Sequence, residues 1–109
     1  MQNISITFSP VSDSAVNLVI TGELVIAESK ELKQELLSLL HRYQSIRIEL
    51  KEIERLDISA LQLLVAAYNS AAVKQKVIDF QFEDSEYITN VLNLSGYQAF
   101  FKKHFSNRP

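Results

Sequence analysis

Residues 45–64, SIRIELKEIERLDISALQLL, contain a strand pattern followed by a helix pattern. Apolar and polar side chains alternate over residues 45–50, which is typical of a β-strand with one buried face. A polar segment follows, and a helix is predicted to begin near Asp57, whose carboxylate suits the N-cap position. Open α/β sheets place their sites where strands end and helices begin. The stretch therefore predicts an α/β fold and the position of a candidate site.

The residues before this stretch predict a β-hairpin and a helix. Residues 4–8 and 16–20 alternate with period two around a turn at residues 10–13. Beyond Gly22 the leucines recur at spacings of three and four, which predicts an amphipathic helix over about residues 27–43.

The residues after this stretch predict a second helix, a strand and a third helix. The second helix is apolar around much of its circumference and is expected to be largely buried. Residues 77–82 alternate as a strand, and a third helix is expected from about Asp84 to a C-cap at Gly96. A short last helix is expected in the tail. The expected apolar face of the second helix is Leu61, Leu64, Val65, Tyr68 and Ala72, and the tail contributes Phe100, Phe101 and Phe105.

The predicted order is two strands, then helices alternating with strands. Strands joined through helices form right-handed crossovers, so the later strands are expected to be parallel. The fold class is thus α/β, with an N-terminal hairpin strand and a mixed four-stranded sheet with helices packed on it. A chain of 109 residues fits a single domain, 1–109.

Composition excludes several classes of protein. The chain has no cysteine, hence no disulfide, thiolate nucleophile or sulfur-ligated metal. Its net charge of −2 argues against affinity for nucleic acid through phosphate contacts. The sequence shows neither a signal peptide nor a run of apolar residues long enough to span a membrane, and a cytoplasmic location is expected.

Motifs for catalysis and cofactor binding are missing from the sequence. His41 and His104 have no His or Cys neighbour at ligand spacing, so no metal site is predicted. No serine lies in a G-x-S-x-G elbow, and Gly22 and Gly96 cannot build a phosphate-binding loop. We therefore predict no catalytic residues, no cofactor and no enzymatic activity.

Two motifs together resemble the STAS domain family, which includes the bacterial anti-sigma factor antagonists. They are residues 20–24, ITGEL, after the second strand, and residues 56–64, LDISALQLL, at the start of the second long helix. The resemblance extends from Ile4 to about Phe105.

The resemblance implies a role for two residues of the second motif. Ser59 matches the serine or threonine that a partner kinase phosphorylates in antagonists, and Asp57 matches the acidic residue of the motif. Ile58 stands where a small polar residue is common, and Ala60 replaces the usual glycine, which narrows backbone freedom beside the hydroxyl. Taken without the resemblance, an N-cap Asp and a first-turn Ser are equally explained by helix stability.

The resemblance also implies a protein partner, an anti-sigma factor or serine/histidine-kinase-like ATPase, bound while Ser59 is unphosphorylated. The residues 22–24 are expected to form a loop beside the second motif. Two other uses remain open, an accessory STAS protein of a chemotaxis or two-component pathway and the cytoplasmic STAS subunit of an ABC lipid transporter, and so does homodimerisation. The candidate partner-binding residues are Gly22, Glu23, Leu24, Asp57, Ile58, Ser59, Ala60 and Gln62.

Overall fold

The computed structural model describes residues 4–25, 29–83, 85–97 and 99–101. The predicted α/β fold class and element order are confirmed, and residues 99–101 are helical. Phe105 and Asp84 lie outside the described residues, and the extent of the single domain over 1–109 stays a prediction. The elements are β1 (Ile4–Pro10), β2 (Ala15–Leu24), α1 (Ser29–Arg42), β3 (Ser45–Leu56), α2 (Ile58–Val73), β4 (Val77–Phe82) and α3 (Glu86–Ser95).

The four strands form one mixed sheet in the order β1-β2-β3-β4. β1 and β2 are antiparallel, with Ile6 opposite Ile20, as expected for a hairpin. β2, β3 and β4 are parallel, with Ile48 opposite both Leu18 and Phe80. The carboxyl ends of the three parallel strands therefore lie at one end of the sheet.

The core lies on one face of the sheet because the strands alternate with period two. The side chains on this face are buried together with residues of all three helices. The opposite face carries polar side chains, including Arg47, which donates to Gln81, and Lys51, whose Nζ lies 3.4 Å from a Glu49 carboxylate oxygen. The buried strand residues are Val16, Leu18, Ile20, Leu24, Ile46, Ile48, Leu50, Ile53, Leu56, Ile78, Phe80 and Phe82.

β2 and β3 are both longer than the alternation predicts. The expected polar segment after Leu50 is strand as far as Leu56, and the expected loop at residues 22–24 is the end of β2. The pairing shifts register around Gly22, so that Glu52, at φ +49°, has no partner opposite it in β2. Such a bulge lets the strand continue while its side-chain alternation is broken.

Side chains from the segment after β4 support the extended end of β3. β4 ends at Phe82, so beyond Leu50 no strand within the described ranges lies beside the backbone of β3 on that side. The Glu83 carboxylate accepts from the Ile53 amide at 3.3 Å, and the Tyr87 hydroxyl accepts from the Leu56 amide at 2.9 Å. These two acceptors take the place of a neighbouring strand.

α2 has one buried face and is not buried around its circumference. Ala66 and Ala72 are exposed, and Val65 and Tyr68 are half-buried, which corrects the prediction. The helices cover a single face of the sheet, so the outer side of α2 meets solvent. Its buried residues are Ala60, Leu61, Leu64, Ala67 and Ala71.

The boundaries of the other helices are close to those predicted. α3 begins at Glu86, after an N-cap in which Ser85 Oγ accepts from the Ile88 amide at 3.3 Å. Gly96 ends α3 in the left-handed conformation, φ +82°, which confirms the predicted C-cap. Phe101 is buried, with its ring centroid 5.1 Å from that of Phe80, so the tail packs on the core as expected.

The hairpin turn lies at the amino end of the parallel strands. The amides of Val11 and Ser12 donate to the Ala15 carbonyl at 2.9 and 3.2 Å. The Ser14 carbonyl accepts from the amides of Gln44 and Ser45, where β3 starts. The turn is thus tied to the end of the sheet opposite to the start of α2.

Candidate functional site

Asp57 caps the start of α2. It is in an extended conformation, φ −110° and ψ 169°, and its Oδ1 accepts from the Ala60 amide at 2.9 Å. Its own amide donates to the Leu24 carbonyl at 3.3 Å, and its carbonyl accepts from the Leu61 amide at 3.2 Å. The predicted N-cap is therefore confirmed, and the cap is fastened to the end of β2.

Ser59 lies in the first turn of α2, two residues after the cap, and is half-buried. Ile58, beside it, is 48% exposed, and Gln62, one turn further along the helix, is exposed. The unpaired amide groups of a first helical turn form the positive end of the helix dipole, which favours a negative group nearby. The geometry can therefore hold an anionic modification on Ser59 at a solvent-accessible surface.

The structure brings the end of β2 next to the start of α2. Leu24 pairs with Leu56, directly before the cap, and Glu23 pairs with Arg55. Neighbouring strands lie about 4.8 Å apart, so half-buried Glu23 is close to the Asp57 turn. Gly22 lies further back along β2, in the left-handed conformation at φ +98°.

Two of the eight candidate partner-binding residues are buried. Leu24 and Ala60 are both fully buried in the core. Their side chains are therefore not accessible to a docked protein. Of the rest, Ile58 and Gln62 are exposed, and Gly22, Glu23, Asp57 and Ser59 are half-buried.

Tyr87 and Glu83 belong to the site although sequence reasoning did not select them. Each accepts from a backbone amide of β3 in the stretch that leads to Asp57. They position the cap and Ser59 from a distance of about thirty residues in the chain. In the sequence, the only indication of this role is that Glu83 directly follows β4 and Tyr87 lies in the first turn of α3.

Within the described ranges, no group of three His, Asp or Glu residues is arranged to hold a metal ion. A cleft of about 320 Å³ lies beside the bulge of β3, away from Ser59, and is lined by residues that include Glu49, Lys51, Glu52 and Glu83. No helix in the described part of the chain is long and apolar enough to cross a membrane.

Residues 9–96 match the family model described as "Mlab, STAS domain". The chain is a STAS domain protein. The match covers most of the chain, including the end of β2 and the whole of α2, and confirms the resemblance drawn from the two motifs. No curated protein sequence matches the chain significantly.

Solved structures of anti-sigma factor antagonists share the fold of this STAS domain. SpoIIAA in its unphosphorylated form aligns with a TM-score of 0.77 at 12% identity, over 96% of this chain and 89% of the other. The phosphorylated form of SpoIIAA, a Bacillus cell fate determinant, aligns with 0.73 at 12% identity, over 96% and 92%. An anti-sigma factor antagonist from Mycobacterium paratuberculosis aligns with 0.78 at 17% identity, over 96% and 86%. At these identities the likeness shows a common fold.

Proposed function

We propose that this STAS domain protein is a partner-switching regulator of transcription in the bacterial cytoplasm, of the anti-sigma factor antagonist type. While Ser59 is unphosphorylated, the surface around it binds an anti-sigma factor or a related serine/histidine-kinase-like ATPase. Phosphorylation of Ser59 releases that partner. The chain supplies a docking surface and a phosphoacceptor and catalyses no reaction, so ATP belongs to the partner.

The observation that carries the proposal is the position of Ser59. Ser59 is half-buried in the first turn of α2, one residue after the exposed Ile58 and two residues after a cap that is tied to β2. A phosphoryl group there interacts favourably with the helix dipole, by about 0.3–1 kcal/mol for an exposed anion. Phosphorylation is therefore compatible with the folded domain, and it weakens the binding of the partner protein that docks around Ser59.

The physical reason for release is charge and desolvation. A phosphoryl group adds roughly −1.5 to −2 charges at neutral pH. A partner that covers the first turn of α2 would have to bury that charge without an arranged counter-charge, which costs several kcal/mol by rough estimate. The carboxylate of Asp57 is in the same turn and has the same sign.

The comparisons support this use of the fold. The two SpoIIAA structures are of an anti-sigma factor antagonist, one described as unphosphorylated and one as phosphorylated. Both align with nearly the whole of this chain. A phosphorylated and an unphosphorylated STAS domain thus keep a fold that this chain shares.

The test compares three versions of the protein as baits in native lysate: wild type, Ser59→Asp and Ser59→Ala. The Ala variant removes the hydroxyl without adding charge and is the matched control. We expect wild type and Ser59→Ala to retain the same kinase-like ATPase and Ser59→Asp to lose it. The captured ATPase, purified and supplied with ATP, is expected to phosphorylate the wild type on Ser59, located by peptide mass spectrometry.

Retention of one partner by all three baits would refute the switch. If that partner is a transporter ATPase, the protein is a constitutive subunit of a lipid transporter. If it is a chemotaxis or two-component protein, the chain is an accessory STAS protein of that pathway.

A further inference from the structure

β1 is an edge strand without the charged residues that usually protect such an edge. Within the described ranges, β1 pairs only with β2, so one side of its backbone has no neighbouring strand. The seven residues of β1, Ile4–Pro10, include no Asp, Glu, Lys or Arg. Charged side chains on an edge strand normally prevent it from pairing with another chain. The other edge strand, β4, contains Asp79 and is flanked by Lys76 and Glu83.

The hairpin pairing shows which backbone groups of β1 point away from the sheet. The Ala15 carbonyl accepts from the Val11 amide at 2.9 Å, so residues 11 and 15 form a hydrogen-bonded pair. Along an antiparallel ladder such pairs alternate with pairs that are not hydrogen-bonded. Residues 5, 7 and 9 therefore bond to β2, and Ile4, Ile6 and Phe8 direct their N–H and C=O groups to the open side.

The side chains of β1 form an apolar row and a hydroxyl row. Ile6 lies opposite Ile20 and Phe8 opposite Leu18, and both partners are buried, so the apolar row is on the core face. Ile4 and Ile6 are half-buried, whereas Phe8 is 46% exposed. The apolar row thus reaches solvent near the hairpin turn. The hydroxyl row is exposed on the outer face and consists of Ser5, Thr7 and Ser9.

We propose that β1 is the docking site for a second copy of this chain, whose own β1 pairs with it antiparallel about a two-fold axis at Ile6. The three residues with outward backbone groups then exchange about six N–H···O bonds with their counterparts. Aliphatic, aromatic and hydroxyl side chains form favourable cross-strand pairs, and no like charges are opposed. The opposed pairs in this register are Ile6 with Ile6, Ile4 with Phe8, and Ser5 with Thr7.

The complementarity of β1 to itself selects a second copy as the occupant. An extended segment of another protein also binds a free edge through its backbone, and its side chains then decide the fit. A second β1 supplies a matching side chain in each pair on both faces. Pro10 has no N–H and ends the ladder, and each copy has one uncharged edge. The assembly is therefore a closed dimer and not a fibre.

The β1 dimer leaves the Ser59 turn accessible. β2 separates β1 from β3, so β1 lies about 10 Å from the strand that leads to Asp57. The second copy extends the sheet in the opposite direction. The dimer thus presents two Ser59 turns, and its formation does not depend on the proposed function.

Disulfide crosslinking tests the register, because the chain contains no cysteine of its own. Ser5 of one copy and Thr7 of the other form a pair that is not hydrogen-bonded, with Cα atoms about 4.5 Å apart, which suits a disulfide. We expect a mixture of Ser5→Cys and Thr7→Cys to give a covalent dimer under mild oxidation, and each variant alone to remain uncrosslinked. The matched control is a mixture of Ser38→Cys and Ser70→Cys, at exposed positions on α1 and α2, which is expected to remain uncrosslinked.

Sedimentation measures the affinity of the dimer. A small interface of this kind is expected to be weak, with a dissociation constant on the order of 100 μM, so the mass rises from 12.4 kDa toward twice that value with concentration. Thr7→Lys places a charge beside the two-fold axis in both copies and is expected to weaken association about tenfold or more. Ser38→Lys adds the same charge on α1 and is expected to stay within about twofold of wild type. Both positions are exposed, so neither variant is expected to unfold, which circular dichroism checks.

A wild type that stays monomeric up to about 1 mM overturns the proposal. Crosslinking in the control mixture, or unchanged association of Thr7→Lys, also overturns it. Crosslinking by Thr7→Cys alone overturns the axis at Ile6, because it places Thr7 opposite its own copy. If wild type is monomeric and Thr7→Lys loses a protein that wild type captures from lysate, the occupant is a strand of another protein and the proposal is wrong.

Discussion

Replacing Tyr87 with Phe tests whether α3 holds the end of β3 in place. The substitution keeps the ring and removes the hydroxyl that accepts from the Leu56 amide at 2.9 Å. Leu56 is 5% exposed, so its amide has little access to water, whereas Tyr87 is 42% exposed and leaves a path by which water can enter. The expected loss is therefore in the middle of the usual range for a hydrogen bond, about 1 kcal/mol.

Urea denaturation measures the global effect, and a loss of about 1 kcal/mol corresponds to a fall in Tm of about 4 °C for a domain of this size. Amide hydrogen exchange measures the local effect, and the Leu56 amide is expected to exchange faster in Tyr87→Phe. Tyr97→Phe is the control, because the described contact of the Tyr97 side chain is between its ring and that of Phe101, with centroids 6.4 Å apart, and Phe retains the ring. Wild-type stability and a wild-type Leu56 exchange rate in Tyr87→Phe would refute the idea that α3 supports β3.

Two further substitutions test the cap and the tail. Asp57→Ala removes the acceptor for the Ala60 amide and is expected to lower the free energy of unfolding by about 1 kcal/mol, measured with denaturant. Asp57→Asn keeps an acceptor, so its loss of stability is expected to be smaller. Equal losses in the two variants would contradict the role of Asp57 as a cap. Phe101→Ala empties a site that is 1% exposed and is expected to cost about 3–5 kcal/mol, with Ala99→Gly, at an exposed neighbouring position, as the mild control. A loss below about 1 kcal/mol in Phe101→Ala would show that the tail does not contribute to the core.

Features that depend on local pattern could be predicted from the sequence. The period-two segments became strands, and the leucines of α1 at spacings of three and four became its buried side. The Asp57 cap joins residues three apart, and Gly96 takes the left-handed conformation that ends α3, so both are visible in a short window of sequence. The α/β class and the parallel strands follow from the order of these elements.

The extended end of β3 could not be predicted because its alternation is interrupted. The buried residues Leu50, Ile53 and Leu56 are spaced by three, since Glu52 and Glu54 have no partner in the pairing with β2. A spacing of three does not match the period of a strand, so the segment reads as irregular. The register shift at Gly22 is also the reason why the end of β2 could not be predicted.

The support of the site by α3 could not be predicted either, because it joins residues far apart in the chain. Tyr87 and Leu56 are separated by 31 positions. A hydrogen bond between a side-chain hydroxyl and a distant backbone amide produces no pattern in the sequence around either residue. The exposure of Leu94 is likewise decided by how α3 is rotated on the sheet. Sequence reasoning therefore located Ser59 but not the hydrogen bond that supports the end of the strand before it.

The hairpin turn between β1 and β2 offers a place to attach the protein to a sensor chip or a fluorophore. Ser12 and Asp13 are exposed, and β2, with its 10 residues, carries the chain about 30 Å from this turn to the end where α2 begins. A cysteine introduced at Asp13 would be the chain's only thiol, since the sequence contains none. Immobilised there, every molecule would present Ser59 and the start of α3 toward the solution in the same orientation.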